Sequence, residues 1–312
     1  VWTYDERGNC VGEAYFSTKG KPVPNEYGYA RSLARHNSRG KLVESSCFGI
    51  DGKLLFNIKN SYDEKDNLLG IAFSGPDGKP VLHNGFASSK IKYDPNGNQI
   101  ERAYFGTDGK PILCNGYAVL RMKYDDSGNL IEEAYFGLDG KPVFPNGFAI
   151  LRKKYDSRGN MVEETCLDAD GKLVLNREKF AGFAVQYDER GNRLEEVYFD
   201  TNRAPVARPL GFSRYTARYD QYGNRTRESY FGVDGKPALH QEGFAEFTWK
   251  YDGYGNKIEE AYFGTDGKPV LNKRNGCAVL RMKYDALGRK VEEAYFGVDG
   301  KLILNKENFA VF

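Results

Sequence analysis

Apolar and polar residues alternate along short segments that recur through the chain. In YAVLRMKY, residues 117–124, every second residue from Ala118 to Tyr124 is apolar, while Arg121 and Lys123 fall on the opposite side. A period of two is typical of a β-strand with one buried and one solvated face. Because apolar stripes of helical spacing do not run over any useful length, the pattern predicts an all-β protein.

A second type of strand segment alternates with the first. Residues 130–136, LIEEAYF, place Glu133 and Tyr135 on one side and Glu132 and Phe136 on the other. Glutamates of this segment would face Lys and Arg of the neighbouring strand, which predicts cross-strand ion pairs. Each such pair contributes well under about 1 kcal/mol, but together they favour one register.

Two turn motifs bound the strands. In Asp94-Pro95-Asn96-Gly97, aspartate stands at the first turn position, proline presets φ at the second, and glycine follows where φ is positive. The second motif, GPDGK at 75–79, repeats this order with proline second and glycine fourth. Each strand pair is therefore predicted to be a β-hairpin.

The hairpin recurs with a period near 31 residues. The dipeptide YD is followed by the same turn each time, with a degenerate copy at His36-Asn37. Its tyrosines are Tyr4, Tyr62, Tyr93, Tyr124, Tyr155, Tyr187, Tyr219, Tyr251 and Tyr284. A fixed period in this range indicates a repeat architecture. We predict that residues 1–312 are a single array of about ten YDxxGN…GxDGKP units, and that the chain is an excerpt of a longer protein.

One unit is too small to fold alone. Ordering about 31 residues costs roughly 45 kcal/mol at about 1.5 kcal/mol per residue, whereas seven or eight large apolar side chains return about 1.5–3 kcal/mol each. The units must therefore stack. The predicted fold is a set of tandem hairpins in an extended or spiralling antiparallel sheet. A closed ring is the alternative, because the C-terminal NFAVF joined to the N-terminal VWTYD aligns with GFAEFTWKYD at 243–252. Such ends also admit end-to-end self-association.

The recurring YDxxGN element, as in Tyr93-Asp94…Gly97-Asn98, resembles the YD repeats of RHS proteins and teneurins. The resemblance implies tandem β-hairpins in a spiral antiparallel sheet, and either a shell around a toxin polypeptide or a secreted or cell-surface interaction module. The chain departs from that family in its second strict turn, GxDGKP, and in lacking an autoproteolytic core and a toxin tail.

Composition and charge exclude several function classes. Forty-five basic and 43 acidic residues leave a net charge of +2, too balanced for a nucleic-acid partner. No apolar stretch approaches the length of a membrane-spanning helix, so we expect no membrane insertion. The five cysteines form no metal or disulfide pattern. They suit a cytoplasmic as well as an extracellular location. Cys47 and Cys166 occupy the slot of the repeat tyrosine and are predicted to be buried.

Catalytic chemistry is sparse. Of the three histidines, His36 replaces a repeat tyrosine, and His83 and His240 share one repeat slot, so no triad is predicted. Asp-Gly turns lack the full calcium-loop spacing. We therefore expect no enzyme activity, cofactor or metal. The clearest irregularities are the shortened second unit and DTNRAP at 200–205, which loses the turn glycine.

The sequence best fits a non-enzymatic repeat scaffold, part of a larger bacterial protein, that presents its sheet to a protein partner. The predicted contact residues form the outward basic row: Arg121, Lys123, Arg152, Lys154, Arg281 and Lys283. A glycan-binding surface module using recurring tyrosines such as Tyr135 is one alternative, since aromatic faces stack on sugars. A segment of an RHS-like shell enclosing a toxin polypeptide is another.

Overall fold

The structure, a computed structural model, describes residues 1–306 and 310–311, and the chain divides into two compact units, Val1–Pro145 and Asn146–Phe312. The described residues form twenty β-strands, ten in each unit, and no helix. The prediction of an all-β fold of tandem antiparallel hairpins is confirmed. The prediction of one uninterrupted array over 1–312 stays a prediction.

The first unit contains five consecutive hairpins, and each strand pairs antiparallel with the next. Its strands are β1 Trp2–Tyr4, β2 Cys10–Ala14, β3 Arg31–His36, β4 Leu42–Phe48, β5 Leu54–Tyr62, β6 Leu68–Ser74, β7 Ser88–Tyr93, β8 Gln99–Phe105, β9 Val119–Tyr124 and β10 Leu130–Phe136.

The second unit repeats this order with five further hairpins. Its strands are β11 Ile150–Tyr155, β12 Met161–Leu167, β13 Gly182–Tyr187, β14 Arg193–Phe199, β15 Arg214–Tyr219, β16 Arg225–Phe231, β17 Glu246–Tyr251, β18 Lys257–Phe263, β19 Val279–Tyr284 and β20 Lys290–Phe296.

The register within a hairpin separates two faces. In the β17–β18 hairpin, Trp249 lies opposite Glu260 and Lys250 opposite Glu259. Because side chains alternate along a strand, Trp249, Glu260 and the YD tyrosine Tyr251 share one face, which we call the tyrosine face. Lys250 and Glu259 lie on the other, the outer face. A register shift next to Tyr251 marks a bulge at the start of the YDxxGN turn.

Except after β4, the segment that follows the second strand of a hairpin folds back over the tyrosine face. Pro237 forms a bridge with Phe231, and Ala238 N–H then donates to the carbonyl of Tyr230 at 3.0 Å. The chain next delivers Phe244, whose ring centroid lies 5.1 Å from that of Tyr262. The following alanine, Ala245, is only 2% exposed. These segments complete the apolar core of each unit.

The second unit has the larger described core cluster. Its buried members are Phe180, Tyr198, Phe212, Tyr230, Phe244, Tyr262, Cys277, Leu280, Met282 and Tyr295. In the first unit the buried cluster is Cys47, Phe56 and Phe73, with Tyr29, Ile58, Ile71, Val81 and Phe86 packed against it.

The two irregularities of the sequence have structural explanations. In the short unit, the turn after β4 leads directly into the nine-residue β5, so the covering segment is missing there. In DTNRAP, Arg203 takes the turn glycine's position at a φ of 63°. Its guanidinium lies 4.8 Å from the Phe199 ring and 2.9 Å from Glu163. The predicted joining of the C-terminal segment to the N-terminus involves residues 307–309 and 312, which lie outside the described residues.

Candidate binding surfaces

The YDxxGN turn is held by its aspartate. Asp220 Oδ1 accepts hydrogen bonds from the N–H groups of Tyr222 and Asn224, both at 2.9 Å, and Oδ2 accepts one from Asn224 Nδ2 at 3.0 Å. The Asn224 side chain is the chief reason that the pKa of Asp220 lies below its usual range. Gly223 follows at a φ of 87°, a conformation that favours glycine. The motif therefore recurs because it closes each hairpin.

The YD tyrosine ties each hairpin to the one before it. Tyr219 Oη donates to the carbonyl of Arg193, and Tyr251 Oη to that of Arg225, both at 3.0 Å. The acceptor is the first residue of the second strand in the preceding hairpin. This bond explains why tyrosine rather than phenylalanine recurs at the position. Equivalent bonds are made by Tyr62, Tyr93, Tyr124 and Tyr187.

In the first unit, the predicted basic row lies on the outer face. Arg121 Nε lies 3.0 Å from Glu101, and its guanidinium stacks 4.6 Å from the Phe136 ring. Lys123 Nζ lies 2.7 Å from Glu132. The predicted cross-strand ion pairs are confirmed. The side chains of Arg121 and Lys123 are 58% and 70% exposed, but each charged group already has a carboxylate partner.

In the second unit, the other predicted residues lie on the same face of their own strands. Lys154 is 2.9 Å from Glu163, Arg281 is 2.9 Å from Glu259, and Lys283 is 2.8 Å from Glu292. Arg152 lies exposed on β11, two residues before Lys154. The row's role in partner binding stays a prediction, on a surface whose charges are already compensated within the chain.

A buried polar ladder on the tyrosine face was missed by the sequence analysis. Lys257 pairs with Glu260, whose other oxygen accepts the Tyr262 hydroxyl at 3.1 Å. The same spacing, a base followed three residues later by glutamate and two later by tyrosine, occurs in three more hairpins: Arg193-Glu196-Tyr198, Arg225-Glu228-Tyr230 and Lys290-Glu293-Tyr295. Glu260 is only 9% exposed, so these glutamates belong to the interior.

The recurring Tyr135-type tyrosines contribute to the core. Tyr104, Tyr198 and Tyr262 occupy that slot and are 5–7% exposed. Burial, with the Glu260 contacts next, raises the pKa of Tyr262 far above its ordinary value. Tyr135 and Tyr15, in the same slot, are half-buried. The core role is therefore confirmed at the buried positions, and sugar binding by the half-buried ones stays a prediction.

Two cysteines are buried in the core, and two loop histidines are half-buried against core aromatic rings. Cys47 and Cys166 are 1% and 2% exposed, as predicted for substitutes of the repeat tyrosine. Burial raises the pKa of Cys47 to about 11 and that of Cys166 to about 12, so both remain thiols at neutral pH. His83 and His240 stack on core aromatics, and burial lowers the pKa of each.

The part of the chain that the structure describes has neither a metal-binding cluster nor a membrane-spanning helix. Residues 1–306 and 310–311 contain no group of three or more His, Cys, Asp or Glu side chains arranged to hold a metal ion. Within that same part of the chain, no helix has the length and apolar character to cross a membrane.

One position of the YDxxGN turn changes its chemistry along the chain. In several repeats the second variable residue is basic and bonds to a backbone carbonyl of the next turn. These residues are Arg7, Arg39, Lys65, Arg158 and Arg190. In the last three repeats, the position holds Tyr222, Tyr254 and Leu287, which are 80%, 95% and 77% exposed. Three successive turns of the second unit thus expose large apolar side chains in a row along the end of the sheet where the YDxxGN turns lie.

A groove of about 630 Å³ opens beside the first two of these turns. Tyr222 and Tyr254 line it together with Trp249, which projects from β17 on the tyrosine face. The indole ring lies 4.0 Å from the Phe247 ring, centroid to centroid, and this contact fixes its position. We call this site the edge groove. The sequence pattern does not predict this groove, because Tyr222 and Tyr254 stand at turn positions rather than in the recurring aromatic slots.

Comparisons with known proteins give distant structural similarity only. No protein-family model matches the chain, and no curated protein matches it. The crystal structure of TcdB2-TccC3 matches at 12% identity with a TM-score of 0.35, covering 100% of this chain and 17% of that one. The Photorhabdus luminescens Tc holotoxin pore matches at 14% identity with a TM-score of 0.35, covering 94% and 14%. The chain thus spans about a sixth of the length of these proteins or less.

Proposed function

We propose that the chain is a non-enzymatic repeat scaffold that binds a protein partner through the edge groove. The observation that carries the proposal is the exposure of Tyr222 and Tyr254, at 80% and 95%, in one groove that Trp249 also lines. Neighbouring exposed aromatic side chains are typical of protein interaction sites, and tyrosine and tryptophan are enriched among the hot-spot residues that contribute most of the binding energy.

The edge groove is better suited to this role than the basic row. Lys283 and Arg281 already have glutamate partners within 2.9 Å, so a partner's carboxylate must compete with them. Tyr222 and Tyr254 instead expose apolar ring surface to water, and covering that surface is favourable by roughly 25 cal/mol per Å². Charge complementarity on the row would then add specificity more than affinity.

The test is selection of a displayed random-peptide library against the whole chain. Peptides enriched on the wild-type chain are expected to lose binding to Tyr222→Ser/Tyr254→Ser. They are expected to retain it with Tyr27→Ser, which removes another exposed tyrosine, 56% exposed, in the first unit. Enriched peptides that bind the double variant as well as the wild type would disprove the edge groove as the contact.

A second pair of substitutions tests the predicted basic row on the same peptides. Arg281→Glu/Lys283→Glu reverses two exposed charges, whose side chains are 59% and 69% exposed, and should leave the fold intact. If this variant abolishes binding while the double serine variant does not, the basic row is the binding surface. If binding is unchanged, the row is a solvated face.

A further inference from the structure

The three turns that expose Tyr222, Tyr254 and Leu287 have a regular spacing set by the sheet. Tyr222 lies in the turn of the β15–β16 hairpin, Tyr254 in that of β17–β18, and Leu287 in that of β19–β20. Successive tips are therefore two strands apart. Adjacent strands are separated by about 4.8 Å, so tips two strands apart repeat about every 9.6 Å.

This spacing matches one extended peptide conformation. A polyproline II helix rises about 3.1 Å per residue with three residues per turn, so it repeats about every 9.3 Å. Prolines three residues apart would meet successive apolar tips of the edge. Aromatic-lined grooves are the usual docking sites for such segments, since proline presents a rigid apolar ring and its preformed helix loses little entropy on binding.

The groove's polar side chains favour a proline-rich peptide over a glycan. Recognition of a sugar needs directed hydrogen bonds in addition to stacking. Here the other polar side chains lining the groove already have partners within the chain: Asp220, Asn224, Thr226, Lys250, Tyr251 and Asp252. What the groove offers is aromatic surface, which suits a ring that needs no hydrogen bonds to its side chain.

We propose that the edge groove binds a polyproline II segment of a partner, with prolines at three-residue intervals packing on Tyr222 and Tyr254 in the groove and, in longer segments, on Leu287 at the next turn beyond it. This inference rests on the proposed function and adds the chemistry of the partner. Trp249 lines the groove together with the first two tips and is expected to contact the bound segment.

Trp249 also provides the measurement. The chain contains two tryptophans, and Trp2, 61% exposed in the first unit, can be replaced by phenylalanine. In the Trp2→Phe background, all tryptophan fluorescence comes from Trp249. The probes are a synthetic decaproline, a Gly-Ser peptide of equal length, and soluble hexasaccharides of glucose and of N-acetylglucosamine.

We expect decaproline to shift the Trp249 emission in a saturable way and the Gly-Ser peptide to leave it unchanged. Tyr222→Ser and Tyr254→Ser should each weaken decaproline binding about tenfold or more, as truncation of an aromatic anchor does, while Tyr27→Ser should not. A triproline, spanning one turn of about 9.3 Å, cannot occupy two tips fully and should bind more weakly than a hexaproline.

Each failure has a separate meaning. If library peptides bind through Tyr222 and Tyr254 but decaproline does not, the inference is wrong and the proposed function stands. If a hexasaccharide saturates the Trp249 signal and decaproline does not, the groove is a glycan site and the inference is also wrong. Decaproline binding that is insensitive to both serine variants places the peptide elsewhere and overturns the inference.

Discussion

Breaking one rung of the buried polar ladder should destabilise the second unit more than breaking an outer-face ion pair. Glu260→Leu removes the carboxylate that pairs with Lys257 and accepts the Tyr262 hydroxyl. Leucine retains apolar volume, so the loss comes from the uncompensated ammonium and hydroxyl. The Glu260 and Lys257 side chains are 11% and 36% exposed, so the environment is intermediate between interior and surface.

The expected magnitude follows from that intermediate exposure. Removing one partner of a fully buried ion pair costs about 3–5 kcal/mol, and exposed pairs contribute about 0.2–1 kcal/mol. For Glu260→Leu we expect a loss of about 2 kcal/mol in the free energy of unfolding. Lys257→Met/Glu260→Leu should recover most of this loss, because removing both charges leaves no unpaired buried group.

The assay is urea unfolding in the Trp2→Phe background. Trp249 lies directly opposite Glu260 in the β17–β18 register, so its fluorescence reports the transition where the change is made. A local probe is needed because long repeat arrays do not always unfold in one step. Midpoints convert to free energies through a common slope.

The matched control is the neighbouring outward pair. Glu259 pairs with Lys250 at 2.8 Å and with Arg281 at 2.9 Å, and these basic side chains are 69% and 59% exposed. The two exposed pairs together should contribute about 1 kcal/mol, so Glu259→Leu should cost less than Glu260→Leu. A double variant as destabilised as Glu260→Leu alone would refute the view that the ladder stabilises through pairing. Equal losses for Glu259→Leu and Glu260→Leu would refute the distinction between the two faces.

Three further outcomes are expected. Tyr219→Phe removes the hydrogen bond to the Arg193 carbonyl and should lower the free energy of unfolding by about 1 kcal/mol in urea titrations; an unchanged midpoint would show that the bond is dispensable. Ala245→Leu overfills a position that is 2% exposed and should cost about 1–3 kcal/mol, whereas Leu at the exposed Ala204 should be neutral, and equal effects would contradict the packing argument. The turn aspartates such as Asp220 have pKa values lowered chiefly by side-chain hydrogen bonds. The stabilisation that they contribute is therefore complete above about pH 4 and is lost as the pH falls through the folded-state pKa. A urea midpoint that stays constant as the pH is lowered from about 5 to about 2.5 would contradict this.

The recurring order of strand and turn motifs in the sequence is sufficient to predict the hairpins. Alternation places Met122 and Tyr124 on one face and Arg121 and Lys123 on the other, and the structure places them so. The turns are predictable for the same reason, because an Asp-x-x-Gly order has a local conformational cause that needs no tertiary context. Strand order within each hairpin follows as well, since its short turn leads directly to an antiparallel neighbour.

The ladder and the edge groove are not local properties. Two adjacent glutamates in EEAY have similar charge and propensity, yet Glu259 is bonded on the outer face and Glu260 within the core. What separates them is the covering segment, which packs Phe244 against Tyr262 on one face only. Sequence periodicity assigns the faces but does not show which face a distant segment covers.

The turn position occupied by Tyr222 connects stability with function. Where this position is basic, as at Arg190, the side chain bonds to the next turn and supports the stacking of hairpins. Tyr222 and Tyr254 have no basic group to make that bond, and their apolar rings are exposed to water. This arrangement stabilises neither the turn nor the sheet. Residues that break a local rule without a structural gain are expected at functional sites. Restoring the repeat pattern by Tyr222→Arg should therefore raise the urea midpoint slightly and abolish peptide binding at the edge groove; a variant that gains stability and keeps its affinity would show that the exposed tyrosines serve no partner.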